Sequence, residues 1–269
     1  MENNLKPIGI FDSGLGGLTS VKAVRAALPN EDIVYFGDTA RVPYGDRSKE
    51  TIIEYVKDDI EFLLSHDVKA IVIACNTADS TARLEMEKIF RIPIIGVVEP
   101  AAKTAASITE NGKIGVIGTN ATTRSNAYKI AINKYNPTSN VFSESCPLLV
   151  PLVEEGRISP KDTVTRGVLG EYLAPLEKKA IDTLVLGCTH YPLLKAIIAE
   201  ILPGVKLVDS GEAATASLEK MLAESGLVAP THKKGSVRYF VSDNAESFSL
   251  HGGIFMGHEL DGSVTEVNI

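Results

Sequence analysis

Two cysteines, Cys75 and Cys188, stand where an apolar run gives way to small polar residues: KAIVIACNTADS (69–80) and DTLVLGCTHYPLL (182–194). In each, β-branched and aliphatic residues end at the thiol, hydroxyl and amide side chains follow, and a helical pattern takes over. Ligands of open α/β sheets bind just past the carboxyl ends of the strands, so the chain delivers thiols to two such positions. Two matched acids that reach one carbon from opposite sides can invert a stereocentre by proton transfer. A thiol with an ordinary pKa of about 8.5 is only a few per cent ionised at pH 7. A helix N-terminus would favour the thiolate, and both cysteines are expected to act as acid and base. The bland alternative is a small, buried, inert side chain; it weakens when two cysteines share one context. Cys146, in SESCPLLVPLVEEG, lacks that context and reads as structural.

Other residues near these strand ends carry polar chemistry. His190 follows Cys188 by two positions, which suits a nucleophile and base, a zinc fragment or an acid–base pair. No Cys-x-x-Cys or further histidine cluster accompanies it, so no metal is expected. Glu154, after PLLVPLV, reads either as another buried acid or as a solvated helix end. Asp12 and Ser13 lie in FDSGLGGLTS, where Gly14, Gly16 and Gly17 would let backbone approach a ligand. Thr19 stands where a dinucleotide fingerprint needs its third glycine, so a nucleotide site is disfavoured. A carboxylate at Asp12 could instead relay a proton beside Cys75. In GDTARVPYGDRS (37–48), Pro43, Tyr44 and Gly45 make a rigid turn whose N–H groups could hold an anion. No lysine occupies a comparable motif, so a pyridoxal Schiff base has no anchor and no cofactor is expected.

What must position these groups is legible as well. Short apolar runs alternate with helical patterns, the sign of βαβ units and a parallel sheet. Strands are expected at 8–11, 33–36, 70–74, 94–97, 114–117, 183–186, 206–208 and 237–241. After Ser48, a predicted N-cap, Ile52, Ile53, Val56, Ile60, Leu63 and Leu64 recur at helical spacing. Pro192 suits a first helical turn, where its missing N–H costs nothing. IGIFDSG (8–14) and IGVIGTN (114–120) resemble each other, and each precedes a strand that ends in cysteine. The expectation is α/β: two pseudosymmetric parallel-sheet domains facing each other across an active-site cleft. Residues 1–98 and 209–269 would form the first domain and 99–208 the second. The tail from Thr231 reads as one strand followed by a poorly periodic region.

Composition sets outer limits. At 269 residues, 44% hydrophobic and 23% charged, the chain can bury full cores. It has no long unbroken apolar stretch, and its start lacks a basic region followed by an apolar segment. Three cysteines in no framework spacing fit a reducing compartment, so a cytoplasmic location is expected. A net charge of −7 and no basic block argue against nucleic acid as a partner.

Five blocks, IGIFDSGLGGLTSV, GDTARVPYG, IACNTADS, PLVEEG and LGCTHYPLL, occur in this order. Together they resemble the glutamate racemases of the cofactor-independent aspartate/glutamate racemase superfamily, over roughly residues 8–225. The resemblance implies two similar α/β domains with substrate between them, and Cys75 and Cys188 as the acid/base thiols. It places substrate contacts at Asp12, Ser13, Tyr44, Gly45, Asn76, Thr77, Thr189 and His190. Asp12, Glu154 and His190 become supporting acids and bases, and Thr119 and Thr122 weaker candidates for contact. It also implies glutamate as small-molecule substrate, D-glutamate supply for peptidoglycan, no metal or cofactor, and a homodimer. Some relatives carry an N-terminal extension linked to activation by a cell-wall precursor; seven residues precede the first predicted strand here, a departure that leaves that control open. The blocks hold little Arg or Lys beyond Arg41, so N–H groups, hydroxyls and the Asn76 amide would have to bind carboxylates. Three other readings stay open at this point. They are a racemase of aspartate or another acidic amino acid, a cysteine hydrolase or transferase using Cys188 and His190, and a small-molecule-binding module.

Overall fold

The computed structural model describes residues 3–232 and 234–269. Two all-parallel sheets form. The first takes β1 (Ile8–Asp12), β2 (Ile33–Gly37), β3 (Ala70–Ile73) and β4 (Ile94–Gly96) from the early chain. The second takes β5 (Lys113–Gly118), β6 (Asn140–Ser145), β7 (Thr183–Gly187) and β8 (Lys206–Asp209). The late strands β9 (Val237–Val241) and β10 (Val264–Glu266) return to the first sheet, whose order is β10-β9-β2-β1-β3-β4; the second runs β6-β5-β7-β8. The thiol-bearing strands hold matching places. β3 pairs with β1 (Ile8 with Ala70) and β7 pairs with β5 (Ile114 with Thr183), so the IGIFDSG/IGVIGTN similarity is structural.

Strands β1, β2, β3 and β7 are buried along their whole length, because helices cover both faces. This explains their unalternated Val/Ile/Leu runs. The strands that periodicity missed, β6 and β10, lie at the sheet edges and hold no fully buried residue; covered only in part, they carry no continuous apolar run. Boundaries also shift. Ala74 lies beyond β3, and Val97 is the cap of helix α4 rather than the end of β4.

The helices are α1 (Leu18–Ala27), α2 (Lys49–Leu64), α3 (Asn76–Ile89), α4 (Val98–Ile108), α5 (Asn120–Ser125), α6 (Ala127–Tyr135), α7 (Leu149–Glu154), α8 (Thr163–Glu177), α9 (Lys195–Ile201), α10 (Ser210–Glu224) and α11 (Ala245–Met256). Ser48 does cap α2, its hydroxyl accepting the Thr51 N–H, and Ile52, Val56, Ile60 and Leu63 fill the first unit's core. Pro192 lies not in an α-helix but in a 3₁₀ turn, Tyr191–Leu194, that precedes α9. α11 occupies the region read as poorly periodic. Its Phe248, Phe255 and Met256 join an apolar cluster that also holds Ile10 of β1 and Leu186 of β7, so one core runs through both units.

At the amino end of β3, opposite the thiol, Lys69 is buried against Glu31 at 2.5 Å and donates to the carbonyls of Asn4 and Leu227. A buried ion pair is tolerable only when such further hydrogen bonds satisfy it. This end of the strand is therefore closed, and the carboxyl end is free to carry chemistry. No described helix is long and apolar enough to cross a membrane.

Candidate active site

Cys75 is the N-cap of α3, where chain direction changes immediately after β3. Its sulfur lies 3.8 Å from the Ser13 hydroxyl, and only 6% of the residue is exposed. Burial pushes this thiol well up from its usual range, and the nearby Asp12 carboxylate pushes it further. The Ala78 N–H and the Ser13 hydroxyl pull it down without offsetting burial. The expectation that a helix start would favour a thiolate is therefore corrected at Cys75: one dipole end does not outweigh loss of solvent. In this state Cys75 holds its proton.

Cys188 occupies the equivalent place after β7, but its surroundings differ. Its sulfur is 3.8 Å from His190 Nδ1, and His190 Nε2 is 2.9 Å from a Glu154 carboxylate oxygen. Burial alone would lower the affinity of His190 for its second proton. Hydrogen bonds to Cys188 and Glu154, and their charges, overcome this and push it up to about 10. The ring is thus an imidazolium at neutral pH, held edge-on against Phe255 of α11. Glu154 ends α7 with 40% of its side chain exposed. The buried-acid reading of Glu154 is corrected to a half-solvated helix end that still reaches His190.

Asp12 closes the seam between the two walls. One carboxylate oxygen accepts the N–H groups of Gly17 (2.9 Å) and Gly14 (3.2 Å), and the other accepts the Thr189 hydroxyl at 3.4 Å. Burial raises this carboxyl above the ordinary range, while His190 and these hydrogen bonds oppose the rise. Asp12 is 1% exposed and stands directly behind the residues that line the cavity. The glycines beside it serve packing. A methyl group on Gly16 would stand 2.2 Å from the Thr189 hydroxyl oxygen and 2.5 Å from His190 Nδ1. Glycine at this position lets α1 approach the Cys188 wall, a role that sequence alone assigned to ligand approach.

The 37–48 loop is held by a charged cluster. Arg41 donates to Asp38 (2.6 Å), Asp58 (2.8 Å) and Asp59 (2.9 Å) and lies over the Tyr55 ring. The Tyr44 hydroxyl bonds both Asp38 and Asp59. Burial, with the neighbouring Asp38, pushes Asp59 well up. Arg41, the one cation that the motifs offered for a carboxylate, is therefore spent on positioning the turn.

The two walls enclose a cavity of about 60 Å³. Ser13, Tyr44, Gly45, Cys75, Asn76, Thr77, Glu154, Cys188, Thr189 and His190, all expected from sequence, line it, as does the weaker candidate Thr119. Asp12 and Thr122 stand behind it. Gly14, Val42 and Val150 also line it; Val42 and Val150 carry no chemical signal in sequence that would have found them. The Thr77 hydroxyl meets that of Thr119 at 2.9 Å, and the Tyr128 hydroxyl donates to Asn76 at 2.5 Å, so both units share the walls. No lining residue is Lys or Arg, and no group of metal-ligating side chains occurs among the described residues. A larger hollow of about 670 Å³ between α1 and α10 holds neither thiol. Among the described residues, the small cavity is the one that brings two thiols together from opposed elements.

Residues 19–218 match the family described as Asp/Glu/Hydantoin racemase. The glutamate racemase of Geobacter metallireducens is 47% identical over 265 residues, 98% of this chain and 97% of that protein. A glutamate racemase isoform from Bacillus anthracis superposes with a TM-score of 0.93 at 37% identity, covering 98% of both chains. The Francisella tularensis glutamate racemase, solved in complex with D-glutamate, gives 0.91 at 41% identity and 98% of both chains.

Proposed function

This chain belongs to the Asp/Glu/Hydantoin racemase family, and from that premise we propose that it interconverts L- and D-glutamate by two-thiol acid/base catalysis. The observation that carries the proposal is the pair of cysteines at equivalent strand ends of two separate sheets, lining one cavity. One thiolate removes the α-proton, the electron pair spreads into the α-carboxylate, and the opposite thiol returns a proton to the other face. The two sulfurs exchange protonation states in each turnover and titrate as a coupled pair. Burial favours the protonated form of Cys75, and on the other wall His190 holds a positive charge beside Cys188. That imidazolium, together with N–H groups and the Asn76 and Thr hydrogen-bond donors, offsets the substrate's carboxylates as they gain charge.

Residues 1–98 with 209–269, and 99–208, are read as the two domains between which substrate is admitted. The expected D-glutamate supply for peptidoglycan, the homodimer and the cytoplasmic location belong to the same reading; the three free cysteines support a reducing compartment. Incubation with L-glutamate in D₂O and no added cofactor tests it directly. α-Proton exchange with loss of optical rotation is expected, and absence of both in folded protein would end the proposal. A panel with aspartate separates the acidic amino-acid alternatives.

The Cys188–His190–Glu154 chain also has the form of a nucleophile, base and orienting acid, which favours a hydrolase or transferase as the second reading. That reading leaves Cys75 unused, so Cys75→Ala would then keep most activity.

A further inference from the structure

A side chain outside the cavity joins its two walls. Tyr128, on α6 of the second unit, is 2% exposed. Its ring packs over Gly187, the residue before Cys188: a methyl group there would stand 3.1 Å from the ring. Its hydroxyl reaches across to the residue after Cys75 and donates to the Asn76 side-chain oxygen at 2.5 Å. Asn76 in turn donates an N–H to the Ser210 hydroxyl at 3.2 Å, at the start of α10. All three groups are buried.

A carboxamide has one oxygen and two N–H donors. With the oxygen held by Tyr128 and one N–H by Ser210, a single N–H is left for the cavity that Asn76 lines. We propose that Tyr128, with Ser210, is a positioning residue: it locks the Asn76 amide so that a donor faces the cavity and selects a carboxylate. This deepens the racemase reading and rests on glutamate occupying that cavity. The phenol is a dependable donor, because burial pushes it well above its ordinary range and it stays protonated. The link also requires both units in place, since its partners come from β3–α3, α6 and α10.

Calorimetric binding of D-glutamate and steady-state kinetics on the full chain, in wild type, Tyr128→Phe, Ser210→Ala and Asn76→Ala, test this. Tyr128→Phe is expected to raise both Kd and KM about tenfold, the usual worth of one buried hydrogen bond, with kcat changed less than threefold. In an Asn76→Ala background it should have no further effect on Kd. Ser210→Ala, which frees the other end of the amide, gives the same split if Tyr128→Phe does not fold. Unchanged Kd in both variants would overturn the proposal, as would a Tyr128→Phe effect that persists without Asn76, or a loss confined to kcat. A wild type that binds glutamate without racemising it would sink the activity reading alone.

Discussion

The two thiol walls hold the same place in two parallel sheets and differ in nearly everything around the sulfur. Cys75 faces a hydroxyl, an N–H and the negative charge of Asp12, and burial keeps it protonated. Cys188 faces a histidine that carries a proton at neutral pH and leans on a half-solvated carboxylate. A duplicated backbone position thus yields a donor side and a side that stores charge. Equivalent strand ends fix where the sulfurs sit. What charge surrounds each sulfur depends on neighbours from other elements.

Four experiments would break or sharpen this contrast. The largest effect is expected from Cys75→Ser and Cys188→Ser, each lowering kcat by about 10³-fold, within the range of acid/base groups. Near-wild-type turnover in either would remove that wall from the chemistry. His190→Gln should lower kcat by about 10²-fold and leave Cys75 as slow to alkylate as before; equal changes at both sulfurs would erase the asymmetry. Glu154→Gln should cost about fivefold or less, since a partly exposed ion pair is worth about 1 kcal/mol at most. A loss as large as that of His190→Gln would make the carboxylate an essential acid. Cys146→Ser should change activity less than twofold, because the residue is 0% exposed and outside the cavity.

Stability against pH adds a further check on the Cys188 wall. His190 binds its proton more tightly folded, at about 10, than an ordinary histidine does unfolded, near 6.5. Its contribution is therefore fully present below about pH 6.5 and is lost as pH rises through 10. Urea titrations from pH 6 to 10 should show wild type losing more stability than His190→Gln; parallel profiles would contradict the charged ring.

Much of the site was legible because its signals are local. A buried strand followed at once by Cys-Asn-Thr or Cys-Thr-His places those side chains at a helix or turn start whatever the rest of the chain does. The fully buried strands were readable for the same reason, whereas β6 and β10 were not, as edges that are only partly covered need no continuous apolar pattern. The readings of Asp12, Gly16 and Arg41 shifted once their near neighbours were joined by Thr189, His190 and the two aspartates of α2. Asp12 is consumed by Gly14, Gly17 and Thr189, Gly16 by close packing, and Arg41 by three aspartates.

The sequence by itself determined the parallel α/β class, the Ser48 cap and the delivery of two thiols to strand ends, since hydrophobic period and turn chemistry act between near neighbours. Tertiary structure alone decided that His190 meets Glu154, that Tyr128 grips Asn76, and that Cys75 stays protonated. Burial and pairing set proton affinities, and both depend on which side chains are brought together from far along the chain.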